Sequence, residues 1–273
     1  MRVSGISTPT RPFKDNEDWL GSAPGMVVVL DGCGVSDALA SEVDRRCVHG
    51  LPWFVKTLGT ALLRSGSDPA TPLDDALATA IAETAAAHHG RCDLTHPETP
   101  ASTVAALRVN RKSMEYLVLS DSTLVVDDGG DEPIVVVDPL DSRITLPSYG
   151  DARPGDPEYL DVGRERRRRL AELRNLPDGF PIAAADPQAA YRAVTGHLGL
   201  NQVRRALLAT DGVTRLVDLF EQMTWSQLVD LAETAGPEEV VARTRAIEES
   251  DLDCRRWPRG KVHDDATLAL CLF

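Results

Sequence analysis

Residues 26–34 read Met-Val-Val-Val-Leu-Asp-Gly-Cys-Gly, an apolar run that ends in a carboxylate. Val27–Leu30 has the pattern of a strand buried on both faces. A core strand running into Asp31 needs something positive at its end, because burying a lone charge is expensive. Gly32 leaves the backbone bare, so its carbonyl can reach the same charge. Asp31 with Gly32 therefore reads as half of a hard-metal site, with a tight turn capped by Asp as the alternative. Two further strands share the feature. Ala206–Thr210 runs into Asp211-Gly212, and Asp264-Asp265 stand immediately before the strand Ala266–Phe273. Acids delivered to one sheet edge repel, and the sequence shows no Lys or Arg matched to them. One would have to protonate unless divalent cations sat between them. Oxygen donors without His or Cys suit Mg²⁺ or Mn²⁺ and not zinc. A pair of such ions activates water and clamps the oxygens of an in-line phosphoryl displacement.

The remaining pattern supplies a scaffold. Ala38–Arg64 has helical spacing with one apolar stripe and a bend expected near Gly50-Leu51-Pro52. A second helix is expected from Leu73 to His89, with Asp74-Asp75 in its first turn. Ser102–Val109, Glu115–Ser120, Thr123–Val126 and Ile134–Val137 read as one antiparallel meander. Residues 138–180 are weakly patterned and read as a surface insertion, with the basic run Arg164–Arg169 as a solvated helix face, a docking patch being the alternative. Ala189–His197 reads as helical, and helices are expected at Thr214–Phe220, Trp225–Ala235 and Pro237–Ser250. No internal repeat or low-complexity linker interrupts the 273 residues, so a single domain over 1–273 is expected.

Composition narrows the function. A formal net charge of −13 argues against a general nucleic-acid binder. The cysteines (Cys33, Cys47, Cys92, Cys254, Cys271) are odd in number and form no CxxC pair, which favours reduced thiols over disulfides or a zinc cage. The six histidines share no metal spacing. No run approaches a membrane span and the polar N-terminus lacks a signal-peptide core, so a cytoplasmic location, without membrane contact, is expected.

Six short motifs then fall in register: Asn16-Glu17-Asp18, Asp31-Gly32-Cys33-Gly34, Ala101-Ser102-Thr103, Ser120-Asp121-Ser122, Thr210-Asp211-Gly212 and Asp264-Asp265-Ala266-Thr267. In this order the chain resembles the metal-dependent protein phosphatases (the PPM family, type 2C serine/threonine phosphatases), in particular the compact bacterial branch. The resemblance implies an α+β fold, a four-layer αββα sandwich of two antiparallel β-sheets flanked by helices. It implies that Asp31 bridges two Mn²⁺ or Mg²⁺ ions, that Gly32 offers its carbonyl, and that Asp211 and Asp264 are further ligands. Glu17 would act near the second ion and Asp121 would help hold a third, weaker one. The implied nucleophile is a metal-bridging hydroxide, with no phosphoenzyme. The implied substrates are phosphoserine and phosphothreonine proteins, with a kinase among the partners and a monomer as the expected state. The implied catalytic set is Arg11, Asp31 and Asp211.

The chain also departs from the family pattern. It matches poorly over residues 138–200, a divergent insertion where the resemblance implies a flap beside the active site that affects substrate choice. Phe13 holds the place of the phosphate-binding Arg, so Arg11, two residues early, or Lys14 must serve. A guanidinium grips phosphate bidentately, whereas an ammonium gives only a point charge. Cys33 stands where other members carry His or Met, Ser120 replaces Gly, and Asp265 replaces Asn. The displaced Arg supports a rival reading, a weak or inactive phosphatase-fold module that binds a signalling partner. An aspartate-nucleophile phosphatase is excluded, because the second Asp it needs two residues away is Val29 on one side and Cys33 on the other.

Overall fold

The computed structural model describes residues 1–33, 47–138 and 144–273. Its strands form two five-stranded sheets. The first runs β1 (Arg2–Thr8), β10 (Ala266–Leu272), β9 (Arg205–Ala209), β6 (Thr123–Asp127), β7 (Ile134–Val136). The second runs β2 (Asp18–Ala23), β3 (Met26–Gly32), β4 (Ser102–Val109), β5 (Ser113–Leu119), β8 (Val194–Gly199). Every pairing is antiparallel.

Strand alternation sorts the apolar residues into layers. Val27 and Val29 of β3 join Ala105, Leu107, Leu208 and Cys271 in the core between the sheets. Met26, Val28 and Leu30 of the same strand face outward against Phe54, Leu58 and Leu62 of α1 (Leu51–Ser65) and Leu77 and Ile81 of α2 (Leu73–Ala87). On the other side, Leu268 and Leu270 of β10 pack on α4 (Asp211–Asp218), α5 (Trp225–Thr234) and α6 (Pro237–Glu249) through Val213, Leu228 and Val240. The result is the four-layer αββα sandwich expected from the resemblance, and β3 is buried on both faces as its sequence requires.

Several elements differ from expectation. The meander is split. β4 pairs β5 and β6 pairs β7, but the turn at Ser120-Asp121-Ser122 carries the chain from one sheet to the other. The helix expected over Ala38–Arg64 falls partly outside the described residues; its described part starts at Leu51, after Gly50 with φ +76°, and Pro52 sits in its first turn. Ala189–His197 is not an α-helix. A short 3₁₀ segment, Pro187–Arg192, leads into edge strand β8, which takes its partner from β5. The region read as a surface insertion contains α3 (Pro157–Leu173). Among the described residues no helix is long and apolar enough to cross a membrane.

Candidate active site

The backbone ladders bring the strand-end acids together. Asp31 ends β3 opposite Asp18 of β2 and Thr103 of β4. Asp211 follows β9, and Asp264 lies just before β10, the strand hydrogen-bonded to it. The Thr210 amide donates to the Thr267 carbonyl (3.0 Å) and the Thr267 amide donates to Thr210 Oγ1 (3.1 Å), which locks these two acidic ends side by side. Both Asp-Gly glycines are needed for close approach. A Cβ at Gly32 would collide with the Glu17 carbonyl oxygen, and one at Gly212 with the Asp265 carbonyl oxygen. No larger residue lets the neighbouring acidic segment lie so near.

Crowding shows in the electrostatics. Burial, then the charges of Asp18, Asp211 and Asp264, push the Asp31 carboxyl well above the ordinary carboxylate range. Burial likewise raises Asp18, against hydrogen bonds from Thr267 and Thr210, the latter 2.9 Å from Asp18 Oδ2. Asp211 is raised by burial and by Asp264, although half of its side chain (49%) is open to the cavity. Asp264 goes the other way. Burial opposes its charge, but Lys261 and Arg215 outweigh burial and hold its pKa low. Lys261 Nζ lies 2.9 Å from Asp264 Oδ1, and Arg215 Nη2 lies 3.0 Å from Asp264 Oδ2. The expectation that no Lys or Arg matches these acids is therefore corrected for Asp264 and, more loosely, for Asp211, whose Oδ2 lies 3.9 Å from Arg215 Nη2. Arg215 is itself held by the fully buried Glu248 (2.7 Å), which also takes Arg245 and His263 Nδ1. Among the described residues no Lys or Arg forms an ion pair with Asp31. Carboxylates with raised pKa values, in a set made only of oxygen donors, fit a hard divalent cation.

These acids floor a cavity of about 280 Å³. Asp31, Gly32, Asp121, Asp211 and Asp264 line it, as does Lys261. Asp121 follows Ser120, whose φ of +65° is the left-handed conformation that the usual Gly would adopt more easily. The facing wall comes from α3 and its C-cap: Arg166, Arg167 and Arg174 all reach the cavity, with Tyr149 and Tyr159 beside them. The basic run therefore splits. Arg168 pairs outward with Glu165 and Glu172, as the solvated-face reading expects, while its two predecessors turn inward. Arg166 lies over the Tyr149 ring (5.1 Å), Arg167 pairs with Glu98 (2.6 Å), and Arg174 Nη1 donates to the Thr99 carbonyl (3.0 Å). Arg174 also exerts the strongest of the charge effects on Cys33, whose thiol burial nevertheless pushes up to about 12.

The N-terminal segment sits behind the floor. Asp265 Oδ1 accepts from the Thr10 amide and Oδ2 from the Glu17 amide, both at 2.7 Å. Each amide takes a separate oxygen of Asp265, a two-oxygen grip that Asn, with a single acceptor oxygen, would not reproduce in this geometry. Glu17 lies near Lys14, Lys261, Asp265 and Asp264 with its pKa raised chiefly by burial, and is outside the cavity lining. Arg11 is exposed, in the turn closed by the Lys14 amide on the Arg11 carbonyl, and is also outside that lining. Sequence reasoning gave no site role to Asp18, Lys261, Arg215, Arg166, Arg167 or Arg174, although Asp18 closes the Asn16-Glu17-Asp18 motif, Arg166 and Arg167 stand in the basic run, and Lys261 lies three residues before Asp264.

No family model matches the chain. Among solved structures, it is similar to the Mycobacterium tuberculosis serine/threonine phosphatase PstP/Ppp (TM-score 0.56, 15% identity, covering 100% of this chain and 98% of that one). It is also similar to PppA, a key regulatory component of T6SS in Pseudomonas aeruginosa (TM-score 0.55, 18% identity, covering 100% and 97%). The PstP catalytic domain in complex with 2 manganese ions matches with TM-score 0.54 and 16% identity, covering 98% of this chain and 96% of that one. The fold is thus that of the metal-dependent serine/threonine phosphatases. Separately, a 91-residue stretch is 33% identical to a lipase chaperone of Burkholderia vietnamiensis (strain G4 / LMG 22486), covering 33% of this chain and 24% of that protein. The chain spans about a quarter of that curated relative's length, and so short a match carries no argument about function.

Proposed function

We propose that the chain is a metal-dependent protein phosphatase that hydrolyses phosphomonoesters on serine and threonine side chains. One observation carries the reading: three strand ends deliver Asp31, Asp211 and Asp264 to the floor of a cavity whose facing wall is rich in arginine. Asp31, Asp211, Asp264 and the Gly32 carbonyl would hold a pair of Mn²⁺ or Mg²⁺ ions, with Glu17 acting from behind and Asp121 serving a weaker third position. Bound there, divalent ions supply water activation and charge neutralisation for displacement at phosphorus.

The chain's own residues do the rest. Lys261 and Arg215 keep Asp264 ionised, and Asp265 fixes the segment that carries Glu17. Arg166, Arg167 and Arg174 receive the phosphoryl oxygens, a task for which guanidinium forks suit better than ammonium. In this reading they take over from Arg11. Tyr149, Tyr159, Leu170 and Phe180 border the same cavity and offer apolar surface to the substrate's protein part. The Cys33 thiol, pushed up to about 12, remains protonated at neutral pH and is not the nucleophile. Phosphoproteins and the kinase that makes them are the partners this reading gives the chain, acting as a monomer in the cytoplasm.

The test is Mn²⁺-dependent hydrolysis of p-nitrophenyl phosphate and of a phosphothreonine peptide by the full chain. Turnover of both that is abolished in Asp211→Asn is expected. Turnover of neither above the Asp211→Asn level would leave only the partner-binding module.

A further inference from the structure

Away from the acid-floored cavity, Cys47 and His49 stand just before α1, and His88 and Cys92 stand at and beyond the end of α2. The packing of the two helices gathers these side chains at one end of the pair. Cys47 Sγ and Cys92 Sγ are 3.4 Å apart, and one donor atom from each of Cys47, His88 and Cys92 lies within 4.8 Å of the others. An ideal tetrahedral zinc site with Zn–S bonds of about 2.3 Å sets its sulfurs about 3.8 Å apart. His88 is 1% exposed, and its Nδ1 lies 2.9 Å from the Thr84 carbonyl oxygen. A carbonyl only accepts, so Nδ1 carries the proton and Nε2 presents its lone pair. That Nε2 is buried with no hydrogen-bond partner. His49 Nε2 is in the same condition, its ring stacked on Trp53 (4.2 Å) and edge-on to His88 (5.3 Å). Leaving such a group unsatisfied is costly, so two whose rings lie 5.3 Å apart call for a common partner.

We propose that Cys47, His88 and Cys92 bind one Zn²⁺ ion, with the neighbouring His49, whose ring nitrogens lie outside that 4.8 Å group, turning in as the fourth ligand. Two thiolates and two neutral imidazoles are a donor set that Zn²⁺ favours over Mg²⁺ or Mn²⁺. Burial pushes the Cys47 thiol up, and the backbone N–H groups of His49 and Gly50, which point at its sulfur, only partly oppose that shift. The Thr84 carbonyl orients His88 from behind, as ligating imidazoles require. Four protein ligands leave no open position, so the ion is structural: it ties the entry of α1 to the exit of α2, and binding releases the two thiol protons. The sequence shows only Cys-x-His and His-x₃-Cys pairs far apart, which no linear zinc pattern combines.

Co²⁺ titrated without oxygen into the reduced, chelator-treated full chain tests this. The expected result is a thiolate-to-cobalt charge-transfer band with tetrahedral d–d absorption, saturating at one ion per chain and bleached by Zn²⁺. The band should persist in Asp31→Asn, since oxygen ligands cannot produce it, and disappear in Cys47→Ser and in Cys92→Ser. His88→Ala should lose the tetrahedral d–d intensity. Absence of the band in wild-type chain shown to be folded by circular dichroism would overturn the proposal. So would its survival in both cysteine variants, or a Cys47–Cys92 disulfide in protein prepared under reducing conditions.

Discussion

The floor and the facing wall of the cavity are made from different kinds of structure. Asp31, Asp211 and Asp264 hang from strand ends whose positions are set by ladder hydrogen bonds and by glycines that admit no Cβ. Arg166, Arg167 and Arg174 hang from one helix and its cap, held by long side chains on carbonyls, a tyrosine ring and Glu98. The difference separates two tasks. Groups that must meet within a fraction of an ångström are placed on the sheet, where backbone geometry fixes them. Groups that, in the proposed reading, only need to face an anion hang from a helix and its cap through long side chains.

Four outcomes would break or sharpen this contrast. The largest concerns the floor: Asp211→Asn should lower Mn²⁺-dependent kcat for p-nitrophenyl phosphate by about 10³-fold or more, with the fold intact by circular dichroism. Next is the metal itself. At free Mn²⁺ of about 100 times Kd the folded chain gains about 2.7 kcal/mol, a rise in Tm of roughly 5–10 °C over the EDTA-treated chain. This gap depends on pH. The raised carboxyls of Asp31 and Asp211 mean that, above the unfolded value of 3.8, the metal-free fold holds more protons than the unfolded chain. Their contribution to stability is therefore lost as pH rises through the folded pKa values. Bound ions cancel that loss and compete better with fewer protons, so the Tm gap should widen between about pH 5 and about pH 7.5.

The wall comes third. Arg174→Met or Arg166→Met should reduce kcat/KM by about 10–100-fold, as loss of one charge-assisted contact predicts, mainly through KM. Smallest is Arg11→Ala, which should change kcat/KM by less than about threefold. A loss at Arg11 as large as at Arg174 would return the phosphate to the N-terminal turn and undo the division between floor and wall.

The same division explains what could be read in the sequence. Apolar runs ending in Asp-Gly revealed the floor, because a buried strand and its terminal charge are adjacent along the chain. β1, β2 and β8 went unrecognised, and all three are edge strands. RVSGIST, DWLGSA and VTGHLG are too polar or glycine-rich to announce a strand; pairing with β10, β3 and β5 makes them one. Lys261 and Arg215 escaped notice as partners of Asp264, since the link between Glu248, Arg215 and Asp264 exists only after α6 packs near α4. The inward turn of Arg166 and Arg167 was hidden for a related reason. A run of basic residues looks alike on both faces of a helix until the neighbours are known.

The double grip of Asp265 on Thr10 and Glu17 reaches beyond local geometry. With both ends of the intervening turn clamped by one carboxylate, the tip at Pro12 and Phe13 can lengthen or shorten while the acid behind the floor keeps its place. Lys14 and Asn16 stay tied to that acid's surroundings, Lys14 through its charge on Glu17 and Asn16 through hydrogen bonds to Ser7 and Asp18. Such a loop is an insulated grafting point: foreign sequence spliced into its tip is expected to leave the acidic floor undisturbed.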